Sequence, residues 1–282
     1  MPLNTLEDFF PFSKRQADCN YIFDRIAAGN CLSLVGERRI GKTWLLQYIK
    51  LATPTELGER YRVAYLEMMS PECKSPFDFC AAAITGLGLE ANSYPAGTKG
   101  LQKGVLRLKN QGHVPVLLLD EFDRLQQHPA FQLDFFEELR HIASINGLII
   151  VTAGKQPLVD IIRQIDRSSP FFNIFMQREV GLLNINDPLR FMQEKSTKLA
   201  GFDESTINRL AEQAGPHPLR LQVAGNEWFS LQKELELNIT HLAGKSLEPQ
   251  EEGQTWNRFL GDYYRICEGF GLKVNWKESD EK

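Results

Sequence analysis

One short stretch near the amino terminus constrains the fold of this chain more than any other feature. Residues 36–43 read Gly-Glu-Arg-Arg-Ile-Gly-Lys-Thr and fit the pattern G-x-x-x-x-G-K-[ST], which a chain of this length matches by chance with a probability of roughly one in a hundred. The stretch follows the apolar run Cys31 to Val35 and opens a run with helical periodicity. A glycine-rich turn between a strand and the amino end of a helix presents backbone amides that suit phosphate groups.

We call residues 36–43 the phosphate loop. Its amides are predicted to surround the phosphates of a nucleotide, while Lys42 contacts the β- and γ-phosphates and the Thr43 hydroxyl holds Mg2+. The alternative, a glycine turn with an incidental lysine, does not account for the strand before it and the helix after it. The residues predicted to bind the nucleotide at this point are Gly36, Glu37, Arg38, Arg39, Ile40, Gly41, Lys42, Thr43 and Trp44.

An apolar run that ends in two acids, Val116 to Glu121, is the predicted partner of the phosphate loop. Asp120 is expected to reach the hydration shell of the metal, and Glu121 to polarise a water for in-line attack on the γ-phosphate. The predicted strand Val63–Met68 lies in the sequence between the phosphate loop and this acidic run. This order differs from that of phosphate-loop kinases and GTPases, in which the metal-binding strand typically neighbours the strand before the loop. Because the chain also lacks an Asn-Lys-x-Asp guanine signature, the predicted cofactors are ATP or ADP with Mg2+.

Further polar residues are candidates for sensing the γ-phosphate. Thr152 ends the predicted strand Leu148–Thr152, where it would contact the γ-phosphate or orient the attacking water, or serve only as a local hydrogen-bonding residue. Arg220 opens a later helix and is predicted to assist catalysis from the second domain, the alternative being a solvated helix charge. Arg163 and Arg167 are weaker candidates for touching the nucleotide of a neighbouring subunit.

The first part of the chain alternates short apolar runs with helical stretches, a pattern typical of a parallel sheet sandwiched by helices, an α/β fold. The predicted strands are Cys31–Val35, Val63–Met68, Val114–Leu119, Leu148–Thr152 and Met176–Leu183. The predicted helices between them are Lys42–Leu51, Pro76–Leu87, Thr98–Asn110, Pro129–Ser144 and Pro157–Ile165.

The strand signals stop near residue 183, and helical patterns follow. The predicted helices are one that begins at Asp187 and Pro188, then Glu204–Ala214, Pro218–Leu235 and Thr255–Gly269. We therefore predict an α/β core at 1–183, a smaller all-α domain at 184–246, and a C-terminal helical segment with a frayed tail at 247–282.

The charge balance limits the classes of partner. The 282 residues carry 32 basic and 36 acidic side chains, a formal charge of −4, so the surface as a whole does not attract a polyanion. A nucleic-acid site would have to be a local patch, such as Lys99, Lys103 and Arg107 on one face of a predicted helix, although such a face is usually just solvated. Nucleic acid is therefore a possible but not a favoured partner.

The sequence lacks several motifs that would indicate a metal site, a membrane span or secretion. Its five cysteines include no Cys-x-x-Cys pair, and its five histidines make no metal-like spacing, so we expect reduced, buried thiols. No apolar run approaches the ~20 residues that cross a bilayer, and the amino terminus lacks the pattern of a secretory signal. The sequence predicts a cytoplasmic protein with no membrane partner.

Four segments of the sequence resemble one group of ATPases. The segments are LVGERRIGKTWLLQYI at 34–49, LLLDEFDRL at 117–125, SPFFNIF at 169–175 and GPHPLRLQ at 215–222. Together they are similar to the STAND-type ATPases and their archaeal relatives, P-loop ATPases of the ASCE class close to AAA+. The first two segments are typical of P-loop ATPases generally, whereas the last two narrow the resemblance, which spans about residues 10–235.

The resemblance implies a P-loop ATPase core followed by a helical lid that closes over the adenine. It places Pro218 beside the adenine and His217 near the phosphates, although Pro216 stands where relatives usually have a second glycine. Trp44 replaces a more usual serine and is expected to alter only packing. The segment Pro11–Gln16 is similar to a weakened form of an amino-terminal motif whose backbone lies near the base.

Three functions are compatible with these features. The first is a slow ATPase that acts as a nucleotide-dependent conformational switch for a protein partner or through self-association. The alternative is a nucleic-acid-handling AAA+-like ATPase of the replication-initiator or transposition-helper type. The third is a non-catalytic module that keeps its nucleotide, which the intact pair Asp120 and Glu121 makes less favourable.

Overall fold

The computed structural model of the protein describes residues 15–165, 170–184, 203–240 and 249–272. The chain divides into two compact units, Met1–Gly181 and Leu182–Lys282. The domain limits deduced from the sequence place the first boundary at 183 and stay a prediction. Among the described residues, no helix is both long enough and apolar enough to span a bilayer.

The first unit is built on a five-stranded sheet in which every neighbouring pair is parallel. The strands are β1 (Cys31–Val35), β2 (Tyr61–Glu67), β3 (Val114–Asp120), β4 (Ile149–Gly154) and β5 (Phe175–Glu179). Their order is β2-β3-β4-β1-β5. The prediction of a parallel sheet flanked by helices is confirmed, and the strand that separates β1 from β3 in the sheet is β4, whereas β2 lies at the edge.

Helices pack on this sheet, and short 3-10 helices lie in four of the connections between its elements. The helices are α1 (Gln16–Ala27), α2 (Lys42–Leu57), α3 (Pro76–Gly86), α4 (Thr98–Asn110), α5 (Leu133–Asn146) and α6 (Leu158–Ile165). The 3-10 helices are Pro71–Cys73, Ala91–Ser93, Phe122–Gln127 and Phe171–Ile174. Most bounds lie within a few residues of those predicted, but α1 was not predicted, and α2 continues past the internal Pro54 to Leu57.

The two faces of the sheet carry different cores. On one face, α1 and α2 pack against Val116 and Leu118 of β3. On the other face, α3, α4 and α5 pack against Leu117 and Leu119. Because side chains alternate along a strand, Asp120 at the end of β3 belongs to the face that α2 covers.

The second unit is helical in its described part. Its helices are α7 (Glu204–Ala214), α8 (Pro218–Thr240) and α9 (Pro249–Gly269). Their core is rich in aromatic side chains, namely Trp228, Trp256, Phe259 and Tyr263. The helix predicted from Asp187 and Pro188 and the predicted frayed tail lie outside the described residues.

All five cysteines are free and buried. Burial raises the pKa of the Cys31 thiol to about 11 and those of Cys19 and Cys80 to about 12. These thiols act as small apolar core residues rather than as nucleophiles.

Candidate functional site

The phosphate loop joins β1 to α2, and glycines shape both of its ends. A Cβ atom on Gly36 would lie 2.4 Å from the carbonyl oxygen of Val180, a distance that no side chain tolerates. Gly41 has φ 100° and directly precedes α2, in the left-handed region that favours glycine. Arg39 also adopts a left-handed conformation, with φ 65°. The loop is thus held in one shape by its backbone.

The amino end of α2 is suited to an anion. Gly41 supplies no side-chain cap, and the first turn of the helix contains no acidic residue. The amides of a first helical turn have no partner within the helix, and the helix dipole adds partial positive charge there. The start of α2 can therefore take the negative charge of a phosphate group.

Lys42 connects the phosphate loop to the acidic end of β3. Its Nζ donates to the carbonyl oxygens of Gly36 and Glu37, each at 2.7 Å. Burial lowers the pKa of Lys42, while the nearby Asp120, Asp123 and Glu121 act in the opposite direction. The structure thus brings the loop and the acids together at one edge of the sheet.

Asp120 is fixed by its neighbours. It is 3% exposed, and its Oδ1 accepts a hydrogen bond from the amide of Glu121 at 2.9 Å. Its Oδ2 accepts a hydrogen bond from the Tyr65 hydroxyl, also at 2.9 Å. Burial and this carboxylate raise the pKa of Tyr65, to which the side chain of Gln47 from α2 is also bonded. Tyr65 therefore orients Asp120, and we did not predict this hydrogen bond from the sequence.

Glu121 differs from Asp120 in both conformation and exposure. It has φ 52° and ψ 39°, a left-handed conformation that is uncommon outside glycine. Its carboxylate is about half exposed, and its Oε2 lies 3.7 Å from Nε of Arg124. The two adjacent acids thus occupy different environments, and their separate roles in metal binding and in water activation stay predictions.

Asp123 is a third acid at this edge and was missed in the sequence. Its Oδ1 accepts a hydrogen bond from the amide of Lys155 at 3.2 Å, and its charge acts on Lys42. A Cβ atom on Gly154 would lie 3.2 Å from the same oxygen. The spacing Asp-Glu-x-Asp in the segment LLLDEFD could have identified Asp123 as a further acid of the site.

The sequence predicted that Thr152 ends its strand, but the strand continues beyond it. β4 continues to Gly154, whose carbonyl oxygen accepts a hydrogen bond from the amide of Gly36 at 3.2 Å. Thr152 is 1% exposed and pairs with Leu119 of β3. By alternation it shares the sheet face of Ile150, opposite to α2. Its part in sensing the γ-phosphate stays a prediction.

The candidates from the second unit lie at the start of α8. Pro218 begins this helix, and the carbonyl oxygen of the buried His217 accepts a hydrogen bond from the amide of Leu221 at 3.1 Å. Burial raises the pKa values of Tyr263 and Cys267 on α9, and the charge of Arg220 acts in the opposite direction, so its guanidinium lies near that helix. The roles of Pro218 and Arg220 at a nucleotide stay predictions.

The structure describes most of the remaining residues that the sequence analysis selected. The guanidinium carbon of Arg163 lies 5.6 Å from the ring centroid of Phe172, whereas Arg167 lies outside the described residues. Thr43 is exposed and Trp44 is half-buried. Lys99, Lys103 and Arg107 are all exposed on α4.

The residues at this edge fit a magnesium ion that is shared with a nucleotide. Within the described ranges, no group of three or more His, Cys, Asp or Glu side chains is placed to hold a metal alone. Mg2+ is usually bound by one or two protein oxygens together with substrate phosphates and waters. The Thr43 hydroxyl and the Asp120 carboxylate are oxygen donors of that kind.

Comparisons with known proteins agree with this architecture. Residues 26–162 match the family model described as an AAA domain, a span that contains the phosphate loop, Asp120 and Glu121. None of the curated proteins compared with the chain matches it.

Several solved structures share the fold. A Walker-type ATPase of Pyrococcus abyssi superposes with a TM-score of 0.63 at 15% identity, covering 90% of this chain and 73% of that one. The ORC2 protein of Aeropyrum pernix, in ADPNP and ADP complexes, gives 0.62 at 12% identity, with coverages of 84% and 68%. Domain III of the replication initiation protein DnaA of Thermotoga maritima gives 0.56 at 18% identity, with coverages of 92% and 99%. These structures show that the chain has a P-loop NTPase fold, and they do not single out the STAND branch.

Proposed function

We propose that this chain, which has a P-loop NTPase fold, is an AAA+-type ATPase that binds ATP with Mg2+ at residues 36–43, hydrolyses it slowly and acts as a nucleotide-dependent conformational switch for a partner protein. The observation that carries the proposal is the position of Lys42. Its Nζ bonds to two carbonyls of the phosphate loop and lies within the influence of Asp120, Asp123 and Glu121. A lysine held between a phosphate-shaped loop and a group of acids suits a triphosphate with a bound metal.

In the proposed complex, the loop amides and the start of α2 hold the phosphates. Lys42 exchanges its bonds to Gly36 and Glu37 for bonds to the β- and γ-phosphates. Thr43 and Asp120 hold Mg2+, which when bound neutralises phosphate charge. Asp120 stays oriented by Tyr65 throughout, because that hydroxyl donates to the Oδ2 atom.

Hydrolysis is assigned to Glu121. Its carboxylate takes a proton from a water that attacks the γ-phosphorus, the bond to the leaving oxygen breaks, and ADP and phosphate form. Glu121 is half exposed and its Oε2 lies 3.7 Å from Nε of Arg124, so we propose that it leaves this ion pair before it positions a water. Because this ion pair must break before a water is positioned, we propose that hydrolysis is slow. Thr152 and Arg220 are the proposed γ-phosphate sensors.

The switch rests on a general constraint. ATP and ADP can favour different conformations only if they bind those conformations with different affinities. The γ-phosphate supplies such a difference where it contacts the loop, the end of β3 and the sensors. A partner protein, or a second copy of the chain, would respond to the conformation that ATP favours.

A binding and turnover assay tests the proposal. We expect micromolar ATP binding in the presence of Mg2+, a loss of binding in Lys42→Ala, and no loss in Lys50→Ala, which removes an exposed lysine from the same helix. Glu121→Gln should bind ATP without hydrolysing it. The absence of ATP binding by the wild-type protein would contradict the proposal, and bound nucleotide that never turns over would favour a non-catalytic module.

A nucleic-acid-handling ATPase is the second candidate. It is favoured by the fold shared with DnaA, a replication initiation protein, and by the exposure of Lys99, Lys103 and Arg107 on one face of α4. Duplex and single-stranded DNA should be titrated at several salt concentrations. Binding that weakens steeply with salt and is lost when these three cations are replaced by glutamate would support this candidate. Equal binding by the variant and the wild type would contradict it.

A further inference from the structure

Arg15 is a buried cation that the proposed chemistry does not use. It directly precedes α1 and is 4% exposed. Its Nη2 donates to the carbonyl oxygens of Ile40 and Gly181, each at 2.7 Å. Its Nη1 donates to Oδ2 of Asp18 at 3.0 Å. A buried charge is tolerated when it is paired and hydrogen-bonded in this way, so the guanidinium has a defined position.

The two carbonyls come from distant parts of the chain. Ile40 belongs to the phosphate loop and precedes Gly41, the residue before α2. Gly181 follows β5 and is the last residue of the first unit. One amino group of Arg15 therefore joins the phosphate loop to the segment where the chain leaves the first unit.

Two further contacts place the same segment beside the other end of the loop. The amide of Val180 donates to the carbonyl oxygen of Val35 at 2.7 Å. The carbonyl oxygen of Val180 lies so close to Gly36 that a Cβ atom there would approach it to 2.4 Å. The segment Val180–Gly181 thus runs along the loop, from Gly36 at its start to Ile40 near its end.

Asp18 is the third hydrogen-bond partner of Arg15, besides the carbonyls of Ile40 and Gly181. Its Oδ1 accepts hydrogen bonds from Arg178 of β5, at 2.9 Å from Nη2 and 3.3 Å from Nε. The guanidinium carbon of Arg178 also lies 4.7 Å from the centroid of the Tyr21 ring. Asp18 thus binds Arg15 through Oδ2 and Arg178 through Oδ1.

The bond to Ile40 has a consequence for phosphate binding. In a planar trans peptide the carbonyl and the following amide point in opposite directions. By holding the carbonyl oxygen of Ile40, Arg15 fixes the direction of the Gly41 amide, which faces away from the guanidinium. A donor on the carbonyl also polarises the peptide and makes its amide a stronger hydrogen-bond donor.

We infer that Arg15 is a positioning residue that sets the Ile40–Gly41 peptide for phosphate binding and couples the phosphate loop to the segment Val180–Gly181. The inference rests on the proposed binding of ATP at this loop. A nucleotide that pulls on the Gly41 amide shifts the Ile40 carbonyl, and through Arg15 it changes the bond to Gly181. Occupancy of the loop and the conformation of the exit segment then depend on each other.

The test compares Arg15→Met, which removes the donors but keeps most of the side-chain length, with Arg178→Met as a matched control. The control also removes a guanidinium from Asp18, and it leaves both carbonyl bonds of Arg15 intact. For each protein we would measure the dissociation constants of ATP and ADP, kcat at saturating ATP, and hydrogen exchange of residues 178–184 with and without nucleotide.

We expect nucleotide to slow exchange at residues 178–184 in the wild type and in Arg178→Met. In Arg15→Met we expect about tenfold weaker binding of both nucleotides, corresponding to the loss of hydrogen bonds from a charged donor, and no nucleotide-dependent slowing. The kcat should stay within about twofold, because Glu121 and Asp120 are unchanged. A purely structural role would lower the melting temperature and leave the nucleotide-dependent slowing in place.

The outcomes separate this inference from the proposed function. No ATP binding by the wild type would overturn the proposed function. ATP binding with no change at residues 178–184 in the wild type, or with the same affinity and slowing in Arg15→Met, would overturn the inference alone. If Arg15→Met does not fold, Arg15→Gln replaces it, since its amide nitrogen stands two bonds closer to the backbone than Nη2, which donates to both carbonyls. Wild-type affinity and slowing in that variant would equally overturn the inference.

Discussion

The two units of this chain are stabilised by different kinds of contact. The phosphate loop in the first unit depends on backbone geometry, with carbonyls and amides in close approach around Gly36 and Gly41. The second unit depends on the packing of large rings, as in the contact of Trp256 with Phe259, whose centroids are 4.9 Å apart. Substitutions in the two units should therefore act through different properties, namely backbone clearance in the first and side-chain volume in the second.

Removing a central ring of the second unit should have the largest effect. Phe259 is fully buried and contacts Trp228, Trp256 and Tyr263. We expect Phe259→Ala to lower the free energy of unfolding by about 3–5 kcal/mol, and Phe259→Leu to lower it by less, because more volume is kept. Denaturant titration followed by tryptophan fluorescence measures both.

Phe270→Ala is the control for this substitution. Phe270 is 39% exposed, so its truncation should change the free energy of unfolding by less than about 1 kcal/mol. Equal losses for Phe259→Ala and Phe270→Ala would contradict the view that buried volume stabilises the second unit.

In the first unit, adding one methyl group should be almost as disruptive. The new Cβ in Gly36→Ala would press on the carbonyl oxygen of Val180, so we expect a loss of about 1–3 kcal/mol in unfolding free energy together with weaker ATP binding. Gly181→Ala is the matched control, because nothing lies within 4 Å of its added Cβ. If Gly36→Ala unfolds and binds ATP as the wild type does, backbone clearance does not govern the loop.

Local sequence signals were enough to predict much of the first unit. The bounds of β1 and α4, and those of α7 in the second unit, agree with the prediction, because glycine turns, caps and periodicity mark them in the sequence. The phosphate loop and the two acids at the end of β3 were found for the same reason: each consists of neighbouring residues whose order reflects their chemistry. Their arrangement around Lys42 required only that parallel strands end at one edge of the sheet.

Features that depend on contacts between distant residues were not predicted. The insertion of β4 between β1 and β3 depends on the order of strand pairing, which no local pattern shows. The continuation of α2 past Pro54 reflects tertiary burial of Ala52 and Thr53, which outweighs the loss of one helical hydrogen bond. The bond from Arg15 to Gly181 joins residues separated by 166 positions. The helix α1, in contrast, had a readable signal, since Cys19, Ile22, Phe23 and Ile26 recur at helical spacing.

A smaller effect should come from the hydroxyl that orients Asp120. Tyr65→Phe leaves Oδ2 of a buried carboxylate without this donor, which should lower the free energy of unfolding by about 1–2 kcal/mol. If Asp120 holds Mg2+, the variant should also need more Mg2+ for half-maximal ATPase activity. Tyr61→Phe is the control, because it removes a hydroxyl from the same strand, one that accepts a hydrogen bond from Nη2 of Arg60. A Mg2+ requirement that is the same in both variants would show that Tyr65 does not orient the metal ligand.

The smallest predicted effect lies in the second unit and depends on pH. Asp203 caps α7, since its Oδ1 accepts a hydrogen bond from the amide of Thr206 at 2.8 Å. This bond and that from the Ser205 hydroxyl lower the pKa of Asp203 below its ordinary value. Asp203→Ala should therefore lower the free energy of unfolding at neutral pH by about 1 kcal/mol, the usual effect of losing such a cap.

The sign of the pH dependence follows from the lowered pKa of Asp203. The stabilisation by the ionised cap is complete above the pKa of the unfolded chain, and it is lost as the pH falls through the lower pKa of the folded protein. The difference between the wild type and Asp203→Ala should thus shrink in acid, as measured by denaturant titration across the acidic range. Asp203→Asn keeps a cap that does not titrate, so its difference from Asp203→Ala should not shrink in this way. A wild-type advantage over Asp203→Ala that is independent of pH would mean that the charge of Asp203 adds nothing to its hydrogen bonds, and that the geometry of these bonds alone stabilises this helix end.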